Sequence, residues 1–69
     1  MRNDIKALRT DRRWSQAELG TALGVSRQTV IAIENDKYDP SLPLAFRIAA
    51  AFDSSIETIF HPDDDDLSA

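Results

Sequence analysis

The sequence predicts an all-α protein, a compact bundle of five short helices. Three observations support this fold class. Apolar residues recur every three or four positions in several segments, a spacing that places them on one face of a helix. Serine stands before four of the predicted helices, at Ser15, Ser26, Ser41 and Ser55, where its hydroxyl oxygen can cap a helix N-terminus. No segment shows the alternation of apolar and polar residues that is typical of a half-buried strand.

The first helix is predicted around Ile5 and Leu8, with Asn3 as its N-cap and an apolar face that extends to Arg12. Trp14 follows, immediately before the residue that begins the next helix. We expect its ring to pack between helices rather than to stack on a ligand or a base.

The second helix begins after Ser15, which forms a predicted capping box with Glu18. In this motif the serine accepts a hydrogen bond from the backbone of the glutamate, whose carboxylate reaches back to the serine N–H. Leu19 and Leu23 form its apolar face. Gly24 ends the helix as a left-handed C-terminal residue.

The third helix is predicted to start after Ser26, with Val30 and Ile33 turned towards the core. The residues predicted on its opposite face are Arg27, Gln28, Ile31 and Ala32. A loop follows, in which Asp36 and Pro40 are turn residues.

The fourth helix starts after Ser41, and Pro43 occupies its first turn, where no backbone N–H is needed. Its apolar face is Leu44, Ile48 and Phe52, and the small residues Ala45, Ala49 and Ala50 are expected to allow close approach of neighbouring helices. Ser55 caps a last short helix, which contains Ile56, Ile59 and Phe60 and ends at His61-Pro62.

The length and composition exclude several classes of protein. The 69 residues suffice for one domain, near the lower size limit for independent folding. The absence of cysteine excludes a disulfide framework and thiolate catalysis. No apolar run approaches the roughly 18 residues of a membrane span, and no signal-peptide apolar region is present. We therefore expect a cytoplasmic protein without membrane association.

The net charge of −4 has a local origin. Of the twelve acidic residues, four form the run Asp63–Asp66, which leaves eight to balance the eight basic residues. We predict a neutral folded domain over residues 1–61 and an acidic, disordered tail over residues 62–69. Chelation of a divalent cation and mimicry of DNA are alternative roles for this run, but a solubilising tail is the preferred interpretation.

Segment 16–35 has the order of a helix-turn-helix: a short helix, a turn containing glycine, a serine cap, and a second helix. The second helix of such a unit fits the major groove of B-form DNA, which is roughly 12 Å wide. By itself this spacing does not distinguish DNA-binding proteins from other proteins that contain helical hairpins.

The residues "SQAELGTALGVSRQTVIAIEND" resemble the helix-turn-helix of the XRE family, which includes phage lambda-type repressor and Cro proteins. Gln16, Gly20, Gly24 and Val30 occupy the positions of the family pattern. The resemblance continues through "YDPSLPLAFRIAAAFDSSIETIF" and implies a five-helix, lambda-repressor-like domain over roughly residues 2–60. Two positions depart from the pattern: Gly20 replaces the usual alanine, and Asp36 stands where many relatives have glycine.

The resemblance implies a role for each side of the unit. The base-contacting residues it implies are Ser26, Arg27, Gln28, Thr29, Ile31 and Ala32. The phosphate-contacting residues are Gln16, Asn35, Lys37 and Tyr38, to which the basic residue Arg13 is added. Glutamine pairs bidentately with adenine and arginine with guanine, which agrees with these roles. A solvated helix surface is the alternative reading of residues 27–29.

Two further features follow from the resemblance. Arg9 and Glu34 correspond to a partly buried ion pair between the first and third helices, which we interpret as structural. The last helix and its surroundings, with Ile56, Ile59 and Phe60, correspond to the dimer contact of the phage relatives, and some of these residues must also serve the core. A dimer would double a small basic surface and read two half-sites about one helical turn apart.

The sequence therefore predicts a sequence-specific DNA-binding transcriptional regulator, a repressor that acts as a homodimer on a pseudo-palindromic operator. Its expected partner is double-stranded DNA, with no cofactor, metal or small-molecule ligand. The single histidine, His61, has no second ligand at metal spacing, so no metal site is expected. No phosphate-binding loop is present either, and catalysis is therefore not expected. The alternative is an antitoxin-like or bridging module that binds a protein through the same scaffold.

Overall fold

The computed structural model describes residues 1–67 and consists of short helices with one pair of very short strands. The helices are α1 (Ile5–Asp11), α2 (Gln16–Leu23), α3 (Arg27–Glu34), α4 (Leu42–Ala51), α5 (Ile56–Ile59) and α6 (Asp64–Leu67). The strands are β1 (Arg2–Asn3) and β2 (Phe60–His61). The helix-turn-helix is formed by α2 and α3, and the predicted bundle corresponds to α1–α5.

All four predicted serine caps are confirmed. In each, the serine Oγ accepts a hydrogen bond from the backbone N–H three residues later, which satisfies one of the free donors at the helix start. The donors are Glu18 for Ser15, Thr29 for Ser26, Leu44 for Ser41, and Thr58 for Ser55. The capping box is complete, because Glu18 Oε1 also accepts from the Ser15 N–H at 2.9 Å.

The capping box makes the stability of α2 dependent on pH. Hydrogen bonds from the backbone and then the side chain of Ser15 lower the pKa of Glu18 below its usual value. A carboxyl with a lowered folded-state pKa stabilises the fold above its unfolded-state pKa, and this contribution is lost as the pH falls through the folded-state pKa. We expect the difference in unfolding free energy between wild type and Glu18→Gln to shrink when urea denaturation is repeated at about pH 3 instead of about pH 7. A difference that does not change with pH would contradict this.

The first four helices end in the same way, with a left-handed residue after the last turn. Positive φ angles occur at Arg13 (59°), Gly24 (74°), Asp36 (59°) and Asp53 (51°). At each end a backbone N–H bonds to the carbonyl five residues earlier, as in a Schellman motif, for example Val25 N–H to Gly20 O at 2.9 Å. The prediction for Gly24 is confirmed. The other three ends use residues with a Cβ, which pay a steric cost in this conformation.

The core lies between the four longer helices and receives the last residues of the bundle. Its buried apolar residues are Ile5, Leu19, Leu23, Val30, Ile33, Leu44, Ala45, Ile48, Ala49, Phe52, Ile59 and Phe60. The predicted inward faces of α2, α3 and α4 are therefore confirmed. Ala50 is exposed on the face of α4 opposite the core, so it allows no close helix contact within the single chain, unlike Ala45 and Ala49.

The start of the chain differs from the prediction. Strand β1 pairs antiparallel with β2, with Arg2 opposite His61 and Asn3 opposite Phe60, although no strand was predicted. The N-cap of α1 is Asp4, one residue later than predicted, yet Asn3 Oδ1 still accepts the Ile5 N–H at 3.1 Å. Helix α1 ends at Asp11, so Arg12 is not on its apolar face. Strands β1 and β2 form because the two ends of the chain meet. With two residues each, they are too short to show an alternating sequence pattern.

The acidic segment begins with contacts to the domain. Asp63 Oδ1 lies 3.2 Å from Arg2 Nε, and the Asp63 N–H donates to Asp66 Oδ2 at 2.8 Å. Residues 64–67 form α6, where no regular structure was predicted. The last two residues of the predicted tail, 68 and 69, lie outside the described residues. His61 Nε2 lies 2.7 Å from Asp4 Oδ2, across the two strands.

Candidate nucleic-acid interface

The turn between α2 and α3 is closed tightly by two glycines. Gly24 adopts φ 74°, and the Gly20 carbonyl accepts the Val25 N–H at 2.9 Å. A Cβ at position 20 would lie only 2.8 Å from the Val25 carbonyl oxygen, closer than a side-chain carbon is normally found. Glycine at position 20, in place of alanine, avoids this close contact. The avoided contact offsets the cost of about 1 kcal/mol that glycine has inside a helix.

The first turn of α3 presents two polar side chains to solvent. Arg27 and Gln28 are exposed, and neither makes a side-chain hydrogen bond or ion pair with any described residue. The hydroxyls of Ser26 and Thr29 instead lie 3.0 Å apart and are engaged in the cap. Free, exposed arginine and glutamine side chains at a helix start can reach base edges without first breaking internal contacts.

Further along α3, the exposed face becomes apolar. Ile31 and Ala32 are half-buried, one turn after the polar pair, while Val30 and Ile33 are buried in the core. A small apolar surface beside polar residues is suited to contact with a thymine methyl group. Helix α3 therefore has one face in the core and one face with the chemistry of base recognition.

The eight basic side chains divide into two groups of four. The first group makes internal contacts: Arg2 with Asp63, Arg9 with Glu34, Arg12 with the Phe52 carbonyl, and Arg47 with the Leu23 carbonyl. The second group has no hydrogen-bonded or ionic partner among the described residues and consists of Lys6, Arg13, Arg27 and Lys37. Three of these four belong to the predicted DNA-contacting set.

The loop after α3 is open to solvent. Asn35, Lys37 and Tyr38 are all exposed there, and the aromatic side chain of Tyr38 is 48% exposed. The backbone is fixed by the left-handed conformation of Asp36 and by the Lys37 N–H bond to the Ala32 carbonyl at 2.9 Å. The predicted phosphate-contacting side chains of this loop are thus accessible on an ordered backbone.

Gln16 is more constrained than the sequence indicated. It is the first residue of α2, and its Nε2 donates to Glu34 Oε1 at 3.2 Å. The same carboxylate accepts from Arg9 Nε at 2.6 Å and from Arg9 Nη2 at 3.2 Å. The predicted ion pair is therefore present, and it also holds the start of α2. The hydrogen bond to Glu34 raises the pKa of Arg9 above its already high usual value, so the guanidinium stays charged.

Sequence reasoning missed two structural arginines. The Arg12 guanidinium lies 5.8 Å from the Trp14 ring centroid and 5.1 Å from that of Phe52, within the range of cation–π attraction. Arg47 donates to the Leu23 carbonyl at 3.1 Å and so satisfies the end of α2. Trp14 stacks on Phe52 at 5.3 Å between ring centroids, as expected for a packing residue. Neither arginine has a sequence signal, because the contacts of Arg12 with Phe52 and of Arg47 with Leu23 join distant parts of the chain.

The residues predicted for the dimer interface lie mostly in the core. Ile59 is 0% exposed and Phe60 is buried, whereas Ile56 is only half-buried. Exposed large apolar side chains occur instead on α4, where Leu42 is 64% and Phe46 is 60% exposed. Ile59 and Phe60, which were predicted to contact a second subunit, are buried where α5 packs against α4.

Two other kinds of site are not found in the described part of the chain. None of its helices combines the length and hydropathy needed to span a membrane. Its His, Asp and Glu side chains form no group of three or more that could hold a metal ion.

Together, the fold and the exposed polar start of α3 define a helix-turn-helix DNA-binding protein. The Helix-turn-helix family matches residues 5–59, and the chain belongs to this family, in its XRE-type form. An HTH-type transcriptional regulator of Methanocaldococcus jannaschii is 53% identical over 66 residues, which cover 96% of this chain and 100% of that protein. The HTH-type transcriptional regulator YgzD of Bacillus subtilis is 48% identical over 60 residues, covering 87% and 91% of the two chains.

Solved structures show the same fold. The restriction-modification controller protein C.AhdI of Aeromonas hydrophila superposes with a TM-score of 0.74 at 28% identity, over 81% of this chain and 85% of that chain. A hypothetical transcription factor, NHTF, from Neisseria has a TM-score of 0.76 at 26% identity, over 93% and 72%. The protein is a DNA-binding transcriptional regulator of the helix-turn-helix class.

Proposed function

We propose that this regulator is a cytoplasmic, non-catalytic repressor that binds a pseudo-palindromic operator as a homodimer and reads its bases with the first turn of α3. The observation that carries this proposal is the pair of exposed, unpartnered side chains Arg27 and Gln28 at the start of the second helix of the helix-turn-helix. The start of this helix is where base edges are reached when it enters the major groove.

The chemistry of the face assigns a different role to each position. Gln28 can donate one hydrogen bond to N7 of adenine and accept one from its N6 amino group. Arg27 can donate two hydrogen bonds to O6 and N7 of guanine, or can bind a phosphate. Ile31 and Ala32 would meet a thymine methyl. Ser26 and Thr29 bond to each other in the cap, so contacts from their hydroxyls would use the lone pairs or proton that remain.

The phosphate contacts come from the helix ends and the loop. Arg13 and Lys37 are the free cations of this set, and Asn35 and Tyr38 add exposed hydrogen-bonding groups. With so few cations, one domain neutralises only a few phosphates, so the electrostatic part of its affinity is small. A second subunit doubles this number, which is why a dimer forms part of the proposal.

Replacing Gln28 with alanine should relax base preference at one position of each half-site. Each good bidentate base contact contributes about 1–3 kcal/mol, so affinity for the preferred operator should fall roughly 5- to 150-fold. Selection from a random duplex pool, followed by affinity measurement at two salt concentrations, tests this. Lys37→Ala is the matched control, because loss of a phosphate contact weakens all sequences about equally and reduces the salt dependence.

The same selection discriminates between the function classes. Enrichment of a pseudo-palindrome by the wild-type protein supports the operator-binding proposal. A folded protein that enriches no sequence even at low salt would instead favour the antitoxin-like or bridging role, in which the scaffold contacts a protein.

The exposed face of α4 supports the dimer. Leu42, Phe46 and Ala50 are exposed at intervals of four residues, so they form one apolar stripe on the side of α4 away from the core. In an antiparallel pair of α4 helices centred on Phe46, Leu42 of each subunit would face Ala50 of the other, a large residue against a small one. Such an isologous contact is the common form of a two-fold dimer. Of the residues first predicted, only Ile56 has surface left to contribute.

Replacing Phe46 with glutamate should make the protein monomeric without unfolding it. The substitution places a charge on each side of the proposed two-fold contact, but the position is 60% exposed in the single chain. Sedimentation equilibrium should show a rise of at least about tenfold in the dissociation constant, since a charge desolvated without a partner is costly. Leu67→Glu, at another exposed apolar position, is the control and should leave the dimer unchanged. A dimer unaffected by Phe46→Glu would place the contact elsewhere.

A further inference from the structure

Glu34 is the meeting point of three parts of the helix-turn-helix domain. Its side chain is only 2% exposed and accepts two hydrogen bonds from Arg9 on α1 and one from Gln16 on α2. Glu34 is itself the last residue of α3. Arg9 alone would satisfy the charge of the carboxylate, so the bond to Gln16 is additional to the ion pair.

This bond fixes the orientation of the Gln16 side chain. A glutamine amide is planar and carries two N–H donors. One donor is used on Glu34 Oε1 at 3.2 Å, and because the two N–H bonds of the amide diverge, the second donor points away from that oxygen. Gln16 is half-buried and therefore still reaches solvent. Its second N–H stands at the start of α2, where the helix dipole favours an anion.

We propose that Glu34 is a positioning residue for DNA binding: it holds the Gln16 carboxamide in the orientation that donates to a backbone phosphate. This inference rests on the proposed operator binding and deepens it. A mobile glutamine side chain loses rotational freedom about several bonds when it binds a phosphate. A side chain that is already ordered in the free protein loses less entropy on binding.

The ion pair allows a carboxylate to lie so close to a DNA contact. An unpaired Glu34 would repel the phosphate that Gln16 binds. Arg9 makes two hydrogen bonds to the carboxylate and neutralises its charge. Glu34 Oε1 can then accept the hydrogen bond from Gln16 without repelling the phosphate. Arg9 Nη1 in turn donates to the Trp14 carbonyl at 2.9 Å, next to the Ser15 cap of α2. The contact therefore links the phosphate site to α1 and to the C-terminal end of α3.

A double-mutant cycle tests this role. Glu34 is replaced together with its counterion, as Arg9→Met with Glu34→Met, so that no buried charge is left unpaired. Operator affinity is measured for the wild type, this pair, Gln16→Ala, and the triple variant. We expect the Met pair to weaken binding about 2- to 13-fold when Gln16 is present, the cost of ordering one side chain, and less than about twofold when it is absent. Equal losses in both backgrounds would overturn the proposal, because a purely structural role affects both alike.

A second readout does not depend on DNA. In the wild-type protein, the Gln16 side-chain amide proton bonded to Glu34 should lie downfield of its position in a free glutamine in the NMR spectrum and should exchange slowly with solvent. This downfield shift and this protection should be lost in the Met pair if circular dichroism shows that the pair is folded. A Gln16 amide with the shifts and rapid exchange of a free glutamine in the wild type would overturn the proposal. A wild-type protein that selects no operator but has a fixed Gln16 amide would instead count against the proposed function.

Discussion

Replacing Arg9 with alanine should destabilise the protein by about 3–5 kcal/mol, the cost of removing one partner of a buried ion pair. Glu34 would keep a charge with 2% exposure and only the amide of Gln16 as a side-chain donor. The Trp14 carbonyl would also lose its donor. A domain of this size has a total stability of roughly 3–10 kcal/mol, so the variant should be partly or wholly unfolded at room temperature.

Urea denaturation followed by circular dichroism measures this effect. The informative comparison is the variant with Arg9→Met and Glu34→Met together, in which both charges are replaced by flexible apolar side chains. We expect it to be more stable than Arg9→Ala, since apolar replacement of a whole buried pair is often neutral or stabilising. If Arg9→Ala lost less than about 1 kcal/mol, the pair would behave as an exposed salt bridge and its burial would be contradicted.

Replacing Phe52 with alanine should cost about 3–5 kcal/mol in the free energy of unfolding. Its ring is 2% exposed, stacks on Trp14, and lies 5.1 Å from the Arg12 guanidinium. The substitution therefore opens a cavity and also removes the surface on which two other side chains pack. The hydrogen bond from the Arg12 side chain (Nη2) to the backbone carbonyl of residue 52, at 3.0 Å, is not removed directly.

Phe46→Ala is the matched control, because it removes the same ring from a 60% exposed position on α4, the helix whose C-cap is Phe52. At protein concentrations low enough to keep the chain monomeric, its stability should change by less than about 0.5 kcal/mol. Thermal unfolding of both variants makes the comparison. Equal losses for the two would show that the inward and outward faces of α4 had been assigned wrongly.

Much of the fold could be predicted because it depends on patterns of residues that are close together along the chain. A serine before an apolar run caps a helix through a bond only three residues long, and all four such bonds are formed. The three- or four-residue spacing in α2–α4 likewise identified the side chains that are buried. Such signals depend on nearest neighbours along the chain, so no knowledge of the packing was needed.

The candidate site could be predicted only in part. Exposure of Arg27 and Gln28 agrees with their position on the helix, and Arg9 and Glu34 form the ion pair that the resemblance implied. The engagement of Gln16 by Glu34 could not be seen, since the two residues are 18 positions apart and meet only when α2 packs near the end of α3.

The sequence by itself determined where α2–α5 begin, which faces of α2–α4 enter the core, and which residues face solvent at the start of α3. These properties follow from backbone capping and from the period of the helix. The tertiary structure alone decided the contacts of residues for which the sequence allowed more than one environment. Ile59 and Phe60 are buried in the core, the Arg12 guanidinium lies against aromatic rings, and the chain ends pair as strands. Each of these outcomes depends on contacts between distant segments, whose free energy is set only when the helices pack.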